Sequence, residues 1–182
     1  MSLSQISIIL GLIALAAGIY GLMKPDKVMG LASRFPRAIV PGWILMGVST
    51  LWFLYNFQNE DIADFAAYKP FMLLFFLAIG VGSIIYVRDF LSVRGLAVFV
   101  MLLAHAIVEA GRWLPTSWRL VMIIWAYAMV ICGIIWTIQP YRLRDWIQWA
   151  TATPTRFRNL QFVRIGFGVL LIVLGATVYR AG

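Results

Sequence analysis

The sequence predicts an all-α fold: a polytopic membrane protein built as a six-transmembrane-helix bundle, with one or two interfacial amphipathic helices. Three observations carry this. Of 182 residues, 63% are hydrophobic and 12% charged, against roughly half and a quarter in a soluble domain. Six apolar runs reach spanning length, at about residues 6–23, 41–57, 70–87, 95–113, 120–138 and 162–179, since about 20 helical residues cross the hydrocarbon of a bilayer. The basic residues gather in alternate loops between those runs.

The first run, residues 6–23, carries an Ala14-Leu15-Ala16 triplet like that of a signal-peptide cleavage site. No Lys or Arg precedes it, however, and the apolar run continues past it. It is expected to be a first spanning helix. The second and third runs open on Pro41 and Pro70, which suit a first helical turn where no amide donor is needed. No polar domain, linker or low-complexity tract interrupts the series, so residues 1–182 are expected to form a single transmembrane domain.

Loop charge sets the expected orientation. The first, third and fifth loops hold Lys24, Lys27, Arg34, Arg37, Arg88, Arg94, Arg142, Arg144, Arg156, Arg158 and Arg164. The other side holds Lys69, Arg112, Arg119 and Arg180 beside Glu60, Asp61 and Asp64. The positive-inside rule then places the basic loops in the cytoplasm and both termini outside, in a bacterial inner membrane. The net charge of +8 therefore points to lipid headgroups as a partner, not to nucleic acid.

Two of the basic loops carry helical periodicity. After Pro140, the residues Leu143, Trp146, Ile147 and Ala150 share one face, with Arg142, Arg144, Asp145 and Gln148 opposite. After Pro25, Val28, Leu31, Ala32 and Phe35 oppose Asp26, Lys27 and Arg34. A basic amphipathic helix of this kind suits the membrane interface; the competing reading is a loop that packs its apolar residues under the bundle. The matching offsets also hint at a repeat of three hairpins.

Candidate chemistry centres on residues 94–119. This stretch holds His105, the one histidine, with Glu109 a turn later and Arg112 beyond it. Ionisable groups at such depths are costly and generally functional. Counting about 1.5 Å per residue from the basic ends of the runs, His105, Tyr127, Ser49 and Thr50 fall in one layer near the midplane. Glu109, Tyr55, Asn56 and Thr177 fall in a second layer. If they face one another they form a polar cavity. The plainer alternatives are serine and threonine bonding to helix carbonyls, and Glu109 pairing with Arg112 at the outer interface. Gly166, Gly168 and Gly175 in the sixth run, and Gly80 and Gly82 in the third, are candidate close-packing glycines.

No Gly-rich phosphate loop, membrane carboxylate pair or nucleophile elbow is present, so no catalytic residues are assigned. One histidine excludes a bis-histidine haem within the chain, and the ligand count excludes a tetrahedral zinc site. Cys132, the one cysteine, excludes an internal disulfide. The leading expectation is a non-catalytic accessory or scaffold subunit of a larger bacterial membrane complex, meeting other membrane subunits or a second copy of itself. The alternative is a small-solute or lipid transporter, or the binding component of one, using a His105–Glu109 cavity. A third reading makes His105 the single axial ligand of a haem or chlorophyll-type pigment.

Overall fold

The structure is a computed structural model that describes residues 2–87 and 89–180, with Asp64 described by its backbone alone. Arg88, counted above among the basic loop residues, and the Asp64 side chain lie outside the described residues. The chain is all-α. Among the described residues the helices are α1 (Leu3–Met23), α2 (Pro25–Arg34), α3 (Ile39–Asn59), α4 (Lys69–Tyr86), α5 (Leu91–Gly111), α6 (Arg119–Ile138), α7 (Tyr141–Thr151) and α8 (Pro154–Ala176). Six of them, all but α2 and α7, are long and apolar enough to cross a membrane.

Local chemistry explains the boundaries. At the start of α1, the Ser2 Oγ accepts from the Gln5 amide at 3.3 Å, and the Gln5 Oε1 accepts from the Ser2 amide at 3.2 Å. This reciprocal cap satisfies two otherwise unpaired donors. The last span starts earlier than its apolar run: α8 begins at Pro154, behind the N-cap Thr153, and ends at Ala176. Arg156, Arg158 and Asn159 precede the apolar run but lie within the helix. Likewise α5 starts at Leu91, after Phe90 in the left-handed region at φ 55°. Helices follow the first and fifth spans as expected, but only residues 87–90 separate α4 from α5. The middle hairpin of the three therefore lacks, among the described residues, the helix that a threefold repeat would carry.

The chain divides into two compact units. The first comprises residues 1–33, 103–130 and 144–182. Its core joins Leu3 and Ile6 of α1, Ala104 and Ile107 of α5, Met122 and Ala126 of α6, and Leu171 and Leu174 of α8. Within it, α1 and α8 lie antiparallel along a stripe of small residues. Ser4, Ser7, Gly11, Gly18 and Gly21 of α1 are all buried. The Ser4 Oγ donates to the Gly175 carbonyl and the Ser7 Oγ to the Leu171 carbonyl, both at 2.7 Å. A Cβ on Gly11 would lie 2.7 Å from the Gly168 oxygen, so the two backbones are in direct contact. Beyond α8 the chain continues as a turn, and the buried Tyr179 donates its hydroxyl proton to the Trp118 carbonyl at 2.8 Å.

The second unit comprises residues 34–102 and 131–143. Here α3 and α5 run parallel. The Gly42 position faces Leu91 and Ser92, the Gly95 position faces Leu45 and Met46, and Trp52 meets Phe99 edge-on at 5.5 Å. The Ser92 Oγ donates to the Phe35 and Pro36 carbonyls, anchoring the 3-10 turn Phe35–Arg37 to the start of α5. Phe76 of α4 stands edge-on to Phe53 and Phe57 of α3 at 5.0 and 5.3 Å. Away from α3, α4 exposes Phe71, Leu74, Phe75 and Ile85, as a lipid-facing helix does.

Candidate functional site

The direction of the α5 side chains decides where the expected site lies. Ala97, Ala104 and Ile107 of α5 are fully buried, and Gly111 is buried beside Leu3 and Ile123. At about 100° per residue, His105 points about 100° away from Ala104 and about 160° away from Ile107. It is accordingly exposed, as is Glu109 one turn on. The inward orientation expected of this face is therefore corrected. Small residues allow the backbone of α5 to approach its neighbours, and they take the interior side.

Depth changes as well. Because α5 runs from Leu91 to Gly111, its middle residue is Met101, and His105 lies about 6 Å beyond it. Glu109 sits near the helix end and meets Arg112 at 3.7 Å, both side chains being more than half exposed. Such a pair is worth about 0–1 kcal/mol. The Arg112 guanidinium also lies 5.9 Å from the Trp113 ring centre. Tyr127 of α6 belongs to the same unit as His105 and is 60% exposed. Among the described residues neither side chain makes a hydrogen bond.

Ser49 and Thr50 belong to the second unit and are used in its packing. The fully buried Ser49 donates its hydroxyl proton to the Gly95 carbonyl at 3.2 Å, and Thr50 fills the space beside Gly80. In the expected second layer, Tyr55 is exposed, and the Thr177 hydroxyl donates to its own chain at Val173, at 2.6 Å.

The glycines separate in the same way. Gly168 meets Gly11 and Ala14, Gly175 meets Ser4 and Ile8, and Gly80 meets Thr50. Nothing of this chain lies within 4 Å of a Cβ placed on Gly166 or Gly82, so these two take no part in packing within it. Each is two residues from a packed glycine, about 200° around the helix. The closest contacts of α8 were missed on the other helix. The run Ser4, Ser7, Gly11, Ala14, Gly18, Gly21 repeats at alternating intervals of three and four, a signal of a tight helix seam.

The helix after Pro140 is present as α7, but its apolar face divides. Leu143, Ile147 and Ala150 are buried, whereas Trp146 is 56% exposed. Leu143, Ile147 and Ala150 are spaced i, i+4, i+7, and Trp146 stands on the flank of that stripe with Trp149, which is also exposed. The apolar stripe thus packs on protein and the tryptophans turn outward. In α2 no residue is fully buried, and Leu31 is 73% exposed.

A cleft of about 250 Å³ lies in the loop between α5 and α6, lined by Leu114, Pro115, Thr116, Ser117, Arg119 and Leu120. Its cation is already engaged, since the Arg119 Nη1 donates to the Arg112 and Leu114 carbonyls at 3.0 and 2.8 Å. No three His, Cys, Asp or Glu side chains gather among the described residues. Any metal or pigment held by an imidazole would therefore take His105 alone from this chain. Comparison with protein-family models finds no matching family, and comparisons with curated proteins and with solved structures find no match. The functional reading rests on the residues themselves.

Proposed function

We propose that this chain is a non-catalytic accessory or scaffold subunit of a larger membrane complex, with the His105 face of α5 as its contact surface. One observation carries the reading: His105 sits well inside a spanning helix, exposed, and without a hydrogen-bond partner among the described residues. An imidazole turned toward lipid is unfavourable, so a second polypeptide covering it removes that cost. The exposed Tyr127 in the same unit, and large apolar faces such as that of α4, support the same reading. We further infer a bacterial cytoplasmic membrane, with the basic loops inside and both termini outside.

The same exposure supports a second reading, in which His105 ligates a haem or chlorophyll-type pigment as its single axial ligand. A transporter cavity built on His105 and Glu109 is disfavoured by their outward direction. Native mass spectrometry of gently solubilised protein, with an absorption spectrum, tests these readings. A complex of defined stoichiometry that His105→Leu dissociates, without loss of helicity, is the expected result. A visible chromophore lost in the same variant would favour the pigment. A colourless monomer with only lipid attached would overturn both.

A further inference from the structure

We propose that the end of the first unit where α7 turns into α8 binds the phosphate of anionic phospholipid headgroups. The turn is built around one arginine. The Arg156 Nη1 donates to the Trp149 carbonyl at 3.0 Å, and the guanidinium lies 4.7 Å from the Trp149 ring centre. Stacking fixes the plane of the guanidinium, and Nε and Nη2 have no acceptor among the described residues. A fixed planar fork with open donors matches a phosphate.

Other cations stand at the same level. Gly21 of α1 packs on Gln161 of α8 in an antiparallel pair, so Lys24, just past α1, lies at the level of Arg158. Among the described residues Lys24, Arg156 and Arg158 have no carboxylate within ion-pair distance, while Asp145 is taken by Arg144 at 2.8 Å. Within the first unit, Asp26 is the remaining acid on this side. The surrounding surface is aromatic, with Trp146 and Trp149 both about half exposed. Exposed tryptophans beside unpaired cations, at the end of spanning helices, describe the headgroup layer and favour lipid over a soluble anion. This inference is independent of what covers His105.

The test uses the full chain in nanodiscs of equal phosphatidylglycerol and phosphatidylcholine, with retained lipids counted by native mass spectrometry. Phosphatidylglycerol should be retained preferentially. Arg156→Gln or Arg158→Gln should each lower that preference about five-fold, the effect of one cation near an anionic surface. Arg180→Gln, at the other end of α8, should leave it unchanged. Trp149→Ala, which keeps every charge but removes the platform, should also lower it. If Arg156→Gln fails to insert, the exposed Arg158 decides alone. Equal retention of both lipids, an unchanged preference in Arg158→Gln, an equal loss in Arg180→Gln, or displacement by millimolar inorganic phosphate would each overturn the proposal.

Discussion

Gly11 and Gly168 face each other so closely that neither position has room for a side chain. A Cβ on Gly11 would lie 2.7 Å from the Gly168 oxygen, and a Cβ on Gly168 would lie 2.9 Å from the Gly11 oxygen. The blocking atoms are backbone, which cannot rotate aside.

Gly168→Leu is therefore expected to destabilise the first unit itself, by at least the 1–3 kcal/mol or so of an overpacked core. Gly166→Leu, directed into open space, should be nearly neutral. Unfolding in mixed micelles, followed by circular dichroism, compares the two; equal stabilities would show that the seam tolerates bulk.

Tyr179→Phe removes the hydroxyl bonded to Trp118 and should cost about 0.5–1.5 kcal/mol at neutral pH. Burial raises the Tyr179 phenol above its ordinary value of 10.0. A raised folded value contributes stability that is complete below the unfolded pKa and is lost as pH rises through the folded one. Above pH 10 the wild type should thus lose stability faster than Tyr179→Phe. Parallel curves for the two proteins would exclude this linkage.

Single-cysteine variants at Ser33, Thr153 and Asn59, all exposed, in a Cys132→Ala background report topology. An impermeant maleimide should reach Ser33→Cys and Thr153→Cys from the cytoplasmic side and Asn59→Cys from the other. Labelling of all three from one side would contradict six crossings.

Trp146 is expected to lie in the headgroup region, so its emission should be quenched by brominated lipids. The difference between wild type and Trp146→Asp isolates that signal, and helicity should be unchanged. A difference spectrum insensitive to brominated lipid would place Trp146 away from the membrane.

The spans were legible because a soluble fold seldom carries six apolar runs of spanning length. The start of α8 was not, because Arg156, Arg158 and Asn159 hold the apolar run short of it without ending the helix. Long arginine stems reach the interface while the backbone stays helical. The direction of His105 escaped the sequence because desolvation cost argues for burying a polar group. It says nothing of which residues let a helix approach its neighbours. Ala97, Ala104 and Gly111, seven apart, held that information, as did the serine and glycine stripe of α1. Ser49 could be placed by depth but not assigned a partner, because the Gly95 carbonyl it bonds is a backbone atom on another helix.

The bonds from Ser4 to Gly175 and from Ser7 to Leu171 also set an order of events during synthesis. The α1 helix has its seam partner in α8, with six helices made between them. At about 5–20 residues per second, α1 spends on the order of ten seconds in the bilayer before α8 emerges. Over that interval its row of serines and glycines is open to any neighbouring helix. Most of the second unit, by contrast, is contiguous in residues 34–102 and has its first three helices ready to pair as they are made. Nascent chains stalled before residue 154 should therefore hold α3, α4 and α5 together while α1 remains free to exchange, vulnerable to capture by insertion chaperones or by the wrong helix.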